Sequence, residues 1–163
     1  MTQQKKRDIK ALIALNEEQK AAKEVILNSP ITLVTGRAGT GKSLLCANIA
    51  INMLLKKQID SVYIVRATIE VGKTLGFLPG DLKTKYDPYI EAFIENLYAS
   101  CDKKEMVDKL IEESKIQMLP LQFIRGKTVN SLLIVEETQN CTKKEIEAIV
   151  TRSNLFLAGI TRL

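Results

Sequence analysis

The sequence contains no histidine and no tryptophan, and phenylalanine and tyrosine together make up only 5% of its 163 residues. Without histidine, the chain lacks the side chain that most often serves as a general base or metal ligand near neutral pH. A carboxylate is then the available catalytic base. The scarcity of aromatic rings leaves few platforms on which nucleic-acid bases could stack, which argues against strong base-dependent recognition.

Cysteine and long apolar runs are also scarce. Cys46, Cys101 and Cys141 are odd in number, far apart and in no Cys-x-x-Cys pair, so neither a disulfide framework nor a zinc site is predicted. The longest apolar stretch, Leu44 to Leu55, is interrupted by asparagines and falls short of the roughly 18 residues of a membrane helix. The first ten residues, MTQQKKRDIK, lack the apolar core of a signal peptide. We therefore expect a cytoplasmic protein without a membrane span.

Length and charge set broad limits on the kind of protein. A chain of 163 residues corresponds to about one domain, so we treat residues 1–163 as a single domain. The net charge of +5 and the pI of about 9.1 permit a polyanionic partner, nucleic acid above all. A solvated basic surface explains the same charge equally well.

Short apolar runs alternate with amphipathic helical patterns along the chain. The runs predict strands over residues 31–35, 61–66, 116–121, 131–135 and 155–158, the first of them read as buried. Helices are predicted over 17–27 and 43–57, from Asp87-Pro88 onward, from Asp102 and Glu105 onward, and after a capping box at 142–145. The apolar face of the helix near Glu105 is assigned to Met106, Leu110 and Ile111. This alternation predicts an α/β fold, a parallel sheet with helices on both faces and ligands at the carboxyl ends of its strands.

A glycine-rich segment joins the first strand to the second helix and fits the pattern G-x-x-x-x-G-K-[ST] at every fixed position. Its glycines let the backbone amides turn toward phosphate oxygens, its lysine supplies a mobile cation for the β- and γ-phosphates, and its serine hydroxyl suits magnesium. The alternative is a glycine-rich turn that carries a surface lysine. The motif predicts binding of a nucleoside triphosphate, ATP with magnesium, through Gly36, Arg37, Ala38, Gly39, Thr40, Gly41, Lys42, Ser43 and Leu44.

Two carboxylates end the strand predicted over residues 131–135. Four apolar residues, 132–135, precede Glu136 and Glu137, and carboxylates at this strand end would lie on the same edge as the glycine-rich loop. We expect Glu136 to hold magnesium, through a water molecule, and Glu137 to polarise the attacking water as the catalytic base. The alternative is a strand that runs out into a charged loop.

Four stretches resemble the PhoH-like ATPases, whose core is related to that of superfamily 1 helicases. The phosphate loop, VTGRAGTGKS, is shared by many families. More specific is RATIEVGKTLGFLPGD at residues 66–81, similar to the long signature after the family's second strand. The other two are IRGKT at 124–128, similar to a basic arginine-glycine turn, and EETQN at 136–140, similar to the family's D-E-A-Q-N. The order of the four stretches also matches, from about Asn16 onward.

The resemblance implies a RecA-like P-loop NTPase fold, ATP hydrolysis and coupling to single-stranded nucleic acid, RNA most often, and it leaves a homo-oligomer such as a hexamer-like ring open. By matching position, Gln19 would read adenine, although it also fits a capping box with Asn16. Gln139 would lie beside the γ-phosphate and act with Lys42 and Glu137 in catalysis, or simply form a turn. The residues that would meet the nucleic-acid strand, or else form ordinary salt bridges, are Arg66, Arg125 and Lys127.

Two departures from the family pattern bear on activity. Glu136 stands where the family usually has aspartate, and residues 158–163 (AGITRL) lack the aspartate and glutamine expected after the last strand. The chain therefore resembles a domain without its C-terminal catalytic elements. An ATPase is the leading hypothesis. The alternatives are a nucleotide-binding module with little or no hydrolysis and a small-molecule phosphotransferase.

Overall fold

A five-stranded parallel sheet forms the centre of the protein in the computed structural model, which describes residues 14–67, 88–121, 131–152 and 156–160. The strands lie in the order β1-β5-β4-β2-β3, and every pair of neighbours is parallel. The elements in chain order are α1 (Glu17–Asn28), β1 (Ile31–Val34), α2 (Lys42–Leu55), β2 (Ser61–Arg66), α3 (Pro88–Ala99), α4 (Lys104–Glu112), β3 (Ile116–Pro120), β4 (Ser131–Glu136), a 3₁₀ turn (Thr138–Asn140), α5 (Lys143–Arg152) and β5 (Phe156–Ile160).

Successive residues of a strand point to opposite faces of the sheet, so the apolar strands present two faces to be buried. Helices cover both of these faces. Val62 and Ile64 of β2 join Leu132 and Ile134 of β4 in the core beneath α1 to α4. The alternate residues of the same strands, such as Val65 and Val135, pack with Ile149 of α5 on the other face. The predicted α/β fold with a parallel sheet between helices is confirmed.

Local capping chemistry sets the starts of two helices. At α1, the Asn16 side chain accepts a hydrogen bond from the Gln19 amide while the Gln19 side chain accepts one from the Asn16 amide. At α5, Glu145 Oε2 accepts from the Thr142 amide at 2.7 Å. Both predicted capping boxes are confirmed. The predicted cap Asp87 and the turn over 78–81 lie outside the described residues. None of the described helices has the length and apolar character needed to cross a membrane.

Two sequence predictions about burial are wrong. β1 is an edge strand among the described strands, paired only with β5, and Ile31 and Leu33 are 45% and 62% exposed rather than buried. In α4 the buried residues are Val107 and Leu110, whereas Met106, assigned to the apolar face, is 36% exposed. In both cases the long-range packing of the element, which the local pattern does not contain, decides which side is covered.

Helices α2 and α4 end in the same backbone motif, with a non-glycine residue in the left-handed conformation. Lys57 and Ser114 each have φ 55°, and their amides donate to the carbonyls of Leu54 and Ile111. The next amide along the chain closes a longer loop in each case, from Gln58 to Met53 and from Lys115 to Leu110. This double bonding pattern usually has glycine at the left-handed position.

Glycine at either left-handed position is expected to stabilise the fold. A left-handed residue with a Cβ costs roughly 1–2 kcal/mol, and the extra backbone entropy of glycine offsets roughly 0.5–1 kcal/mol of the gain. Lys57→Gly and Ser114→Gly are therefore each expected to raise the free energy of unfolding by about 0.5–1 kcal/mol, measured by urea denaturation. The matched control is Lys56→Gly, at φ −81°, which is expected to destabilise. A loss of stability in both left-handed variants would contradict the argument.

Candidate functional site

The carboxyl ends of β1, β2 and β4 meet at one edge of the sheet. Arg66 of β2 is in register with Glu136 of β4, Glu136 with Ile160 of β5, and Ile160 with Val34 of β1. The phosphate loop follows β1, and Glu137 follows β4, so both emerge at this edge. The two motifs singled out in the sequence are therefore on the same side of the molecule.

Backbone conformation explains two glycines of the phosphate loop. Gly39 and Gly41 have φ of 80° and 82°, in the left-handed region that side chains rarely adopt. Gly41 is also the N-cap of α2, and a Cβ there would lie 2.8 Å from Gln19 Nε2. No side chain caps the start of α2, and its first turn contains no acidic residue of its own. This arrangement fits an anion such as a phosphate.

Lys42 holds its ammonium group over the phosphate loop. Its Nζ donates to the backbone oxygens of Gly36 at 2.7 Å and Arg37 at 2.8 Å. Thr40 Oγ1 donates to the same Arg37 oxygen at 2.9 Å. The loop backbone thus holds the Lys42 ammonium group at the loop that the sequence predicts to bind phosphates.

Ser43 joins the phosphate loop to the acidic strand end. Its hydroxyl donates a hydrogen bond of 2.7 Å to Glu136 Oε1. A hydroxyl and a carboxylate are oxygen ligands of the kind that magnesium takes, together with waters and substrate phosphates. In the described part of the chain, no three His, Cys, Asp or Glu side chains form a metal cluster. The two residues predicted for magnesium are adjacent, and the donor set fits a cation shared with a bound triphosphate.

The thiol of Cys46 lies near this centre, in the second turn of α2, and is buried in the core. Burial raises the pKa of Cys46 to about 12, and the Glu136 carboxylate contributes to the same shift. The thiol therefore stays protonated at neutral pH. It packs as an apolar side chain and offers no nucleophile to the site.

Glu137, the predicted base, has its carboxylate between two other side chains. Oε2 accepts a hydrogen bond of 2.5 Å from Gln139 Nε2, and Oε1 lies 3.9 Å from Arg66 Nη2. The side chains of Arg66 and Glu137 are only 19% and 15% exposed. Glu137 also has φ 55° and ψ 42°, a left-handed conformation that is uncommon outside glycine. The sequence predicts all three residues near the ligand edge, but it does not indicate that Glu137 contacts both Arg66 and Gln139.

Further hydrogen bonds fasten the end of β2 to the turn after β4. The Ala67 amide donates to the Glu136 oxygen at 3.0 Å, and Asn140 Nδ2 donates to the Ala67 oxygen at 3.4 Å. Thr138 Oγ1 donates to the Val135 oxygen at 3.0 Å. A displacement of Arg66 is therefore expected to shift the turn that contains Glu137 and Gln139.

Gln19 serves two neighbours at once. Its Oε1 accepts from the Asn16 amide at 3.1 Å, which completes the capping box, and its Nε2 donates to the Thr40 oxygen in the phosphate loop at 3.2 Å. The sequence does not predict the hydrogen bond from Gln19 to Thr40. The resemblance to the family nevertheless indicates that Gln19 lies near the nucleotide. Adenine recognition by Gln19 stays a prediction.

The structure brings together the residues predicted for nucleotide, magnesium and catalysis. Arg66 lies at the same edge and forms the ion pair that was its alternative reading, while its contact with nucleic acid stays a prediction. Arg125 and Lys127 lie outside the described residues, as does most of the signature over 66–81.

Comparison with known proteins identifies the family of this chain. A family model described as PhoH-like protein matches residues 11–155. The chain belongs to the PhoH-like family. Similar PhoH-like proteins include one from Synechocystis sp., 38% identical over 130 residues, and one from Mycobacterium tuberculosis, 37% identical over 135 residues. Protein PhoH of Escherichia coli K12 is 31% identical over 148 residues.

These alignments cover most of the PhoH-like chain but a minor part of each relative. The alignment with the Synechocystis protein covers 79% of this chain and 39% of the relative, and that with the Mycobacterium tuberculosis protein covers 82% and 38%. The alignment with Escherichia coli PhoH covers 90% of this chain and 42% of the relative. The chain thus spans about two fifths of the length of the curated relatives it matches. All the predicted catalytic, nucleotide and magnesium residues fall within the range that the family model matches.

Proposed function

We propose that this PhoH-like chain binds ATP with magnesium at the phosphate loop, hydrolyses it, and acts on or with single-stranded nucleic acid, with RNA favoured. The observation that carries the proposal is the 2.7 Å hydrogen bond between Ser43 Oγ and Glu136 Oε1. It joins the loop that fits a triphosphate to the carboxylates that fit a cation and a base. Family membership supports the same assignment.

The roles of the side chains follow from their places. Lys42 and the amides at the start of α2 would bind the phosphates, and Gln19 would support the loop through Thr40. Ser43 and Glu136 would hold magnesium, which would supply positive charge against the negative charge of the triphosphate. Nothing in this arrangement requires histidine, which the chain lacks.

The proposed chemistry is the transfer of the γ-phosphoryl group to water. Glu137 takes a proton from the water molecule, whose oxygen bonds to the γ-phosphorus. The bond between that phosphorus and the β–γ bridging oxygen breaks, and its electron pair leaves with ADP. Gln139, bound to Glu137 in the structure, is placed to orient that carboxylate.

A phosphate-release assay with and without single-stranded RNA or DNA tests the proposal. We expect magnesium-dependent turnover that RNA increases. ATP binding with no turnover above background would favour the nucleotide-binding module, and phosphate transferred to a small acceptor would favour the phosphotransferase. Absence of ATP binding in the parent protein would overturn the proposal as a whole.

Nucleic-acid binding is expected to depend on phosphate contacts and therefore on salt. Three contacts, from Arg66, Arg125 and Lys127, predict a slope of log affinity against log salt of about −2 on single strands, at roughly 0.7 per contact. Arg125→Ala is expected to flatten the slope by about 0.7, measured by titrating labelled RNA at several salt concentrations. The matched control is Lys115→Ala. This variant also removes one positive charge, but Lys115 lies just before β3, at the amino end of the sheet and away from the predicted interface. An equal change in both variants, or an unchanged slope, would remove Arg125 from the interface.

A further inference from the structure

The catalytic carboxylate proposed above is engaged on both of its oxygens. Gln139 donates to Oε2, and the Arg66 guanidinium faces Oε1 in a pair that is largely shielded from solvent. These two contacts occupy part of the roughly four acceptor positions of the carboxylate and constrain its orientation. Release of this pairing would change how well Glu137 can act as a base.

Arg66 lies on the side of the acidic residues that is away from the phosphate loop. In the order β1-β5-β4-β2-β3, β4 separates β2 from β5 and β1. With neighbouring strands about 4.8 Å apart, β2 is three spacings, roughly 14 Å, from the strand that leads into the loop. We therefore assign a phosphate that engages Arg66 at the carboxyl end of β2, between β4 and β3, to a second ligand rather than to the nucleotide.

A guanidinium pairs equally well with a carboxylate and with a phosphate, because its planar fork matches two oxygens of either group. Arg66 is largely shielded but keeps 19% of its side chain exposed, which leaves part of the guanidinium within reach of an incoming phosphate. The hydrogen bonds from Ala67 and Asn140 tie its strand end to the turn that bears Glu137. Competition for Arg66 is thus coupled mechanically as well as electrostatically to the base.

We propose that Arg66 is a positioning residue that holds Glu137 until a phosphodiester of single-stranded nucleic acid takes over its guanidinium, which frees the carboxylate to act on water. The inference rests on the proposed function, since it assigns the regulation of that site. It makes Arg66 the link between the nucleic-acid partner and hydrolysis. By linkage, the carboxylate and the nucleic acid must weaken each other's hold on Arg66.

A binding cycle without ATP tests this competition independently of hydrolysis. Labelled single-stranded oligouridine is titrated into the parent, Glu137→Gln, Arg66→Ala and the double variant. We expect Glu137→Gln to tighten binding roughly two- to fivefold, the range of a partly exposed ion pair, and to have no effect in the Arg66→Ala background. The matched control is Glu113→Gln, which removes a lysine-paired carboxylate before β3, at the amino end of the sheet. Its effect measures the change in net charge alone.

Turnover measurements add a second readout. Arg66→Ala is expected to raise turnover without RNA and to abolish stimulation by RNA, and Arg66→Lys to restore part of the stimulation because it keeps the charge but not the fork. A parent without turnover would refute the proposed hydrolysis, while the binding cycle would still decide the role of Arg66. Equal effects of Glu137→Gln in the two backgrounds, or no binding of oligouridine at low salt, would overturn the inference.

Discussion

Replacing Glu137 with glutamine is expected to lower ATP turnover by roughly 10²–10⁴-fold, the usual contribution of a general base, while ATP binding stays near the parent value. The amide keeps the shape of the side chain and its hydrogen bonding to Gln139, but it cannot accept the proton of the attacking water. Phosphate release at saturating ATP measures the turnover, and calorimetric titration measures the binding.

The matched control for Glu137→Gln is the same change one residue earlier. Glu136 accepts the hydrogen bond from Ser43, so Glu136→Gln removes the charge beside the predicted magnesium position. We expect that variant to weaken the magnesium-dependent part of ATP binding. Identical effects of the two substitutions on binding and on turnover would refute the division of roles between the two carboxylates.

The parts of the fold that local chemistry determines could be predicted from the sequence. Asn16 with Gln19 and Thr142 with Glu145 are capping pairs within one helical turn, and both are formed. The strand over 61–66 was also found at the predicted residues. Each of these features depends on neighbours within a few positions, which a sequence displays directly.

Burial depended on the order of strands, which no local pattern contains. The run ITLV at the start of β1 has the composition of an interior strand, yet β1 lies at the edge and leaves Leu33 62% exposed. The α4 pattern likewise offers several apolar stripes, and packing against its neighbours selects the one with Val107. Long-range packing therefore determines which apolar side chains are buried, because local sequence patterns do not.

The candidate site shows the same division. Ser43 and Glu136 were expected to meet, because a phosphate loop and an acidic strand end share the carboxyl edge of a parallel sheet. A salt bridge is the alternative that the sequence offers for Arg66, but the sequence does not identify Glu137 as the partner, since that requires knowing that β2 is the immediate neighbour of β4. When the order of the strands in the sheet is unknown, the sequence does not indicate how close two charged residues at strand ends lie to each other.

Removing the Lys42 ammonium group is expected to weaken ATP binding by roughly 10- to 150-fold, the equivalent of the 1.5–3 kcal/mol typical of hydrogen bonds to charged groups. Lys42 Nζ donates hydrogen bonds to the backbone oxygens of Gly36 and Arg37 in the loop that is predicted to bind the phosphates. Alanine favours helix at the first position of α2, and Lys42 is only half-buried, so Lys42→Ala is expected to fold normally.

Calorimetric titration with ATP and magnesium, alongside thermal unfolding by circular dichroism, measures both sides of this prediction. Lys56→Ala is the matched control, because Lys56 carries the same charge at the opposite end of the same helix. Long-range attraction between a basic protein and ATP would weaken in both variants, whereas direct phosphate contact is lost only in Lys42→Ala. A Lys42→Ala protein that unfolds at the parent temperature and binds ATP as tightly as Lys56→Ala would refute the assignment of the phosphate loop.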